Sequence, residues 1–269
     1  MTVALGVLVG NSQILAADTQ MSTDTEKVGQ GKISFSIVTP TSERPRGLIA
    51  ITGAGDVFNL QALQADLTDL FSETADESLE EFGDKARRML KAFYRDHVAI
   101  TPDTSQRPEV ELIIAARRGV FSQTWVTKRN RLSVAKSPVA VGIGASYAQS
   151  LLDTLAFSQS AETAMLAAAY TVFLVKSRNL WVGMDTEVVC LDDGLGFPPK
   201  GFSASACRKL EDLFRQCIAV ETRTVHRMFG SQYDFCGAEH LAREVEFLRE
   251  RFVEIFQPRS DSTSERSQT

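Results

Sequence analysis

Cysteine and histidine are scarce in this chain of 269 residues, with four of the first and three of the second. Cys190, Cys207, Cys217 and Cys236 form no C-x-x-C pair, and His97, His226 and His240 lie far apart, so no metal-ligand spacing is present and no metal site is expected. Reactive thiols need electropositive surroundings, which the sequence does not indicate, so each cysteine reads as a small buried hydrophobe. His97 falls at the end of an amphipathic helix, and His226 and His240 fall in a helical tail, all ordinary helix-end or surface positions. No Ser/His/Asp set is singled out. The longest apolar run near the middle, residues 165–175, stops at Lys176, well short of the roughly 20 residues a membrane span requires. No basic stretch precedes the apolar start, which argues against a signal peptide and points to a cytoplasmic chain. Lysine and arginine number 29 against 34 acidic residues, a formal net charge of −5 without a basic block, so nucleic acid is not an expected partner.

What is present begins at the second residue. Thr2 follows Met1 and opens the run Thr2-Val3-Ala4-Leu5-Gly6-Val7-Leu8-Val9. Loss of Met1 would leave a hydroxyl and a free amine on one residue. A threonine hydroxyl needs a base to become a nucleophile, and an α-amine with an ordinary pKa of about 8 can be that base. Gly10-Asn11 is a two-residue turn signal, and Ser12-Gln13-Ile14-Leu15-Ala16-Ala17-Asp18 reads as a strand returning beside the first. Residues 19–31 are polar, contain Gly29 and Gly31, and read as a loop before a third strand that opens at Lys32. Asp18 and Lys32, at the ends of adjacent strands, can meet in one cleft, where the carboxylate keeps the ammonium charged and the ammonium favours loss of the threonine proton. Lys27 is an alternative partner for Asp18.

Farther along, Gly47-Leu48-Ile49-Ala50-Ile51-Thr52 reads as a strand and Gly53-Ala54-Gly55-Asp56 as the approach to a helix whose apolar positions are Val57, Leu60, Leu63, Leu67 and Leu70. Ser78 with Glu81 is a capping box for a second helix with the face Leu79, Phe82, Ala86, Met89 and Phe93. Residues 110–116 and 120–126 read as strands joined at Arg118-Gly119, with short strands near Leu132 and Val139. Helices follow over 146–157 and 161–176, then a strand over 187–191. The order is strands, two helices, strands, two helices, which pattern alone describes as a layered α+β domain.

Thr2 at the start, Gly6 four residues on, Ile14-Leu15-Ala16-Ala17-Asp18, Lys32 followed by an aliphatic residue, Gly53-Ala54-Gly55-Asp56, and Gly142-Ile143-Gly144-Ala145-Ser146 occur in an order that resembles the β subunits of the core proteasome and the bacterial peptidase HslV. The resemblance covers residues 2 to about 190. It implies the four-layer α/β/β/α sandwich of N-terminal-nucleophile hydrolases, and a cytoplasmic threonine endopeptidase that hydrolyses polypeptide substrates through Thr2 after Met1 removal. It also implies a homo-oligomeric ring with a possible ATPase unfoldase partner and no cofactor. Catalysis would fall to Thr2, Asp18 and Lys32, with an oxyanion donor at the Thr52-Gly53 turn and Ser146 as support. Departures are Thr52 where the family usually has glycine, an Asp18 to Lys32 separation two residues short of the usual, Ala145 in place of a serine, and no aspartate near Arg178-Asn179. They leave open a narrower amidohydrolase or peptide transferase on the same scaffold, or a catalytically silent ring subunit.

The expected division is an N-terminal-nucleophile domain over 2–198, a helical extension over 199–257 and a disordered tail over 258–269. In the extension, Leu210, Leu213, Phe214, Cys217 and Ile218 mark one helix, while Leu241, Val245, Leu248, Phe252 and Ile255 mark a second, ended by Pro258.

Overall fold

A computed structural model describes residues 2–22, 27–29, 31–38, 47–101, 108–135, 138–155, 160–192, 200–229, 243, 245–248 and 250–251. Two compact units divide the chain between Ala204 and Ser205.

In chain order the first unit contains β1 (Val3–Val9), β2 (Ser12–Asp18), β3 (Gln20–Ser22), β4 (Lys27–Gly29), β5 (Ser34–Val38) and β6 (Gly47–Gly55). Helices α1 (Val57–Glu73) and α2 (Leu79–Phe93) come next, and α2 runs into a π-helical turn, Tyr94–Val98. Strands β7 (Val110–Arg118), β8 (Phe121–Lys128), β9 (Arg131–Val134) and β10 (Val139–Gly142) lead to helices α3 (Ala145–Thr154) and α4 (Ala161–Arg178), followed by β11 (Thr186–Leu191) and β12 (Lys200–Phe202). One antiparallel sheet has the order β10-β1-β2-β11-β12, the other β5-β6-β7-β8-β9, and β3 pairs with β4 in a separate ribbon.

Side-chain alternation explains the packing. On β6, Ile49 and Ile51 join a core with Leu60, Leu63 and Leu67 of α1, Phe82 and Leu90 of α2, and Leu112 and Ile114 of β7. The other face of the same strands supplies Ala50, Ala54, Ile113 and Ala115, which pack with Ala4, Leu15, Ala17 and Val141 of the first sheet. Bulky side chains thus face helices α1 and α2, while the sheet-to-sheet core is rich in alanine. Strand β2 is buried along its whole length, which accounts for its near-continuous apolar string.

Local signals set the ends. Asp56 accepts the Asn59 amide at 2.9 Å and starts α1, and the Ser78/Glu81 capping box starts α2. Three elements depart from the sequence reading. The third strand begins at Ser34 rather than Lys32, because the Lys32 and Ile33 amides are taken by a side chain described below. Residues 52–55 continue β6 instead of turning. Part of the expected loop 19–31 forms the β3/β4 ribbon.

The second unit carries α5 (Ala204–Phe229), where Leu213 and Val220 cluster with Leu248. Cys190 and Cys207 are buried as expected, but Cys217 is exposed on α5. Cys236, His240, Pro258 and the tail lie outside the described residues, as do the side chain of His226 and most of the second expected helix. No helix among the described residues is long and apolar enough to cross a membrane.

Gly55 has φ +124°, and a Cβ there would stand 1.8 Å from the Glu109 carbonyl oxygen. Gly55→Ala is therefore expected to lower the urea unfolding free energy by about 2 kcal/mol or more, since both the backbone and the β7 approach must shift. An unchanged midpoint would contradict this packing.

Candidate active site

The end of β2 and the start of β1 lie side by side, because Ala4 pairs with Ala17. Asp18 therefore arrives beside Thr2. It is fully buried, and its Oδ1 accepts the Val3 amide at 2.9 Å while Oδ2 accepts the Gly183 amide at 3.2 Å. These two main-chain donors hold the carboxylate in a fixed orientation.

Lys32 comes from the segment before β5 and is 3% exposed. Its Nζ lies 3.2 Å from Asp18 Oδ1 and also donates to Thr2 Oγ1 and to the Gln20 carbonyl. An ammonium has three protons, and three acceptors meet it here. Thr2 itself is only 4% exposed, so hydroxyl, ammonium and carboxylate interact out of bulk water, where each contact is stronger than at a surface. Burial lowers the Lys32 pKa from the ordinary lysine value; the negative charge and hydrogen bond of Asp18, and then the charge of Glu187, act in the opposite direction.

The glycine-rich turn braces Thr2 from the other side. Gly142 pairs with Val3, has φ +95°, and brings its Cα so close that a Cβ would sit 2.2 Å from the Thr2 carbonyl oxygen. Its amide donates to Glu111 Oε2 at 3.0 Å, which fixes the turn. Ser146 lies exposed in the first turn of α3. No hydrogen bond from Ser146 to Thr2, Asp18 or Lys32 is found among the described residues.

Gly53 stands in β6 opposite Leu112, where a Cβ would strike the Glu111 carbonyl. Its amide direction follows from strand alternation. Leu112 turns its amide toward β8, donating to Thr127 Oγ1 at 2.7 Å, while the Ile51 carbonyl receives Ser34 Oγ at 3.4 Å and Gln64 Nε2 at 3.1 Å. Gly53, two residues after Ile51, therefore points its amide to the same edge, past the start of β5 and toward the Lys32 segment. Lys27 opens β4, and its side chain lies outside the described residues.

Three contributors escaped the sequence reading. Glu187 accepts the Lys32 amide at 2.9 Å, Gln64 donates to the Lys32 carbonyl at 2.9 Å, and the Gly183 amide holds Asp18. Only Glu187 left a signal, as the one charged residue in an otherwise apolar or small strand, Thr186–Leu191. Among the described residues no group of three or more histidine, cysteine or acidic side chains converges as a metal set.

Because folded Lys32 releases its proton at lower pH than an unfolded lysine, the unfolded chain binds more protons between those two values, and stability rises with pH across that window. Lys32→Met removes this contribution. Urea unfolding of parent and variant from about pH 8 to about pH 10.5 should show the parent gaining on the variant as pH rises. A constant difference would mean that the amine is not desolvated.

Comparison with known proteins bears on the architecture. No protein-family model and no curated protein matches the chain. Solved structures do. Anbu (ancestral beta-subunit) from Yersinia bercovieri superposes with a TM-score of 0.65 at 12% identity, covering 82% of this chain and 96% of that one. The Anbu complex from Pseudomonas aeruginosa, described as a helical assembly, gives 0.63 at 16% identity with 84% and 95% coverage. Anbu from Hyphomicrobium sp. strain MC1 gives 0.61 at 16% identity with 87% and 98% coverage. These matches correct the resemblance to core proteasome β subunits and HslV. Asp18, Gly53 and Gly142 are positions that strand pairing and close backbone contact constrain, so they do not distinguish one group of related folds from another. At these identities the likeness concerns architecture alone: the chain is similar in fold to the Anbu proteins.

Proposed function

We propose that this protein is an N-terminal-nucleophile amide hydrolase, a threonine-type endopeptidase that acts on polypeptides once Met1 is removed. The observation that carries the reading is the buried contact of Lys32 Nζ with both Thr2 Oγ1 and Asp18 Oδ1. In this reading helices α1 and α2 cover one sheet and α3 and α4 the other, giving a four-layer α/β/β/α sandwich with the nucleophile at one end of the central layers.

The donor direction matters for mechanism. Lys32 donates a hydrogen bond to the hydroxyl oxygen, so the hydroxyl's own proton points elsewhere and the base must be another group. The Thr2 α-amine, liberated by loss of Met1 and ordinarily titrating near pH 8, meets that need through a water. The oxygen attacks a peptide carbonyl carbon, the carbonyl becomes an oxyanion, and the Gly53 amide is the donor aimed toward it, a contact worth about 3 kcal/mol in comparable sites. Collapse expels the amine product with the proton taken from Thr2 and leaves an ester on Thr2, which water then hydrolyses. Asp18 opposes the loss of the Lys32 proton that burial favours.

The Pseudomonas aeruginosa neighbour is described as a helical assembly. We extend that to an oligomeric state for this chain, with identical subunits as its partners and unfolded polypeptide as its substrate.

Intact-mass measurement of active protein is expected to show a chain beginning at Thr2. Thr2→Ala should lower peptide turnover by about 10³-fold or more while Thr2→Ser retains part of it. Full activity with Met1 still attached, or unimpaired turnover in Thr2→Ala, would refute the assignment.

A further inference from the structure

We propose that Glu187 is a positioning residue of the Thr2 centre: its carboxylate fixes the backbone that carries Lys32 and places a second negative charge near the buried ammonium. The proposal rests on the reading of Thr2 as nucleophile.

Lys32 lies before the β5–β6 register, which starts at Ser34 opposite Ile51. Side chains hold its main chain instead. Glu187 Oε2 accepts the Lys32 amide at 2.9 Å and the Ile33 amide at 3.3 Å, and Gln64 Nε2 donates to the Lys32 carbonyl at 2.9 Å. The two clamps come from separate elements, β11 and α1, 155 and 32 residues away in sequence. Gly31 permits the approach, since a Cβ there would stand 2.8 Å from Glu187 Oε1. The strand that carries Glu187 also sets Thr186 opposite Asp18. One strand therefore registers both partners of the ion pair.

A clamp of this kind has a purpose. A lysine side chain has four rotatable bonds, so its ammonium is only as well placed as its Cα, and a displacement of about 1 Å in a reacting site costs about 10²-fold in rate. Among the described residues the charges that face Lys32 are Asp18 from β2 and Glu187 from β11, joined by the Thr2 amine once Met1 is gone. Lys176 of α4 donates to Thr186 Oγ1 at 3.3 Å and is not among the charges that act on Lys32. Burial disfavours the ammonium, and the two carboxylates together offset part of that effect.

The test uses full-length protein with lysines labelled at ¹³Cε, the Lys32 resonance being assigned by its loss in Lys32→Met. Glu187→Gln keeps an oxygen acceptor for the two amides and removes only the charge. The Lys32 titration midpoint is expected to fall, and the pH profile of kcat for an unfolded-protein substrate to move in the same direction with KM unchanged. Gly31→Ala keeps the charge and displaces the carboxylate, and is expected to lower kcat about tenfold or more, again at constant KM. An unmoved Lys32 midpoint in Glu187→Gln, or full kcat in Gly31→Ala, would overturn the proposal. The titration needs no turnover, so inert parent protein with a displaced midpoint in Glu187→Gln would refute the hydrolase reading and leave the action of Glu187 on Lys32 standing.

Discussion

The structure around Thr2 depends on one constraint: a lysine ammonium that is 3% exposed must find all its partners inside the protein. Removing one partner from a buried ion pair costs about 3 to 5 kcal/mol, so the arrangement tolerates little displacement. Asp18 supplies the charge, the Gln20 carbonyl a second acceptor, and the Thr2 hydroxyl the third. The group that satisfies the ammonium is thus the one whose chemistry is at issue. Stability here is tied to the same three contacts on which the proposed reactivity rests.

Secondary structure delivers these groups from four directions. Strand β1 brings Thr2, β2 brings Asp18, β11 aligns Asp18 and carries Glu187, and the segment before β5 brings Lys32. The glycine-rich turn at Gly142 closes the remaining side against the Thr2 carbonyl, with Glu111 tying it to β7. Side chains from both sheets and from α1 meet around Thr2 and Lys32. A local change in any one element therefore reaches the centre through one or two contacts.

Much of this was legible in the sequence, for physical reasons. The Gly10-Asn11 turn forces β1 and β2 into register, and register alone sets Asp18 near Thr2. The capping box at Ser78 and the cap at Asp56 fix α2 and α1 because each satisfies orphan amides locally. Long-range partners were not legible. Nothing local to Glu187 or Gln64 shows that they hold a backbone segment 155 and 32 residues away, and the Gly183 amide became visible only once its loop was placed. The same distinction explains Ser146, chosen for its place after a glycine pair yet exposed on α3, whereas the bracing of Thr2 falls to the backbone of Gly142. It also bears on the corrected resemblance: Gly53 and Gly142, two of the residues that carry it, stand where backbones approach too closely for a side chain.

The central claim is that the amine and hydroxyl of Thr2 act together. A peptide α′,β′-epoxyketone tests it directly, because the reagent has two electrophilic carbons and reaches full adduction only when an oxygen and an amine on one residue both attack. Peptide mapping by mass spectrometry after incubation is expected to find a single adduct on an N-terminal Thr2, and none in Thr2→Ala or in protein that retains Met1. Modification at another residue, or no adduct in protein that hydrolyses peptides, would contradict the account.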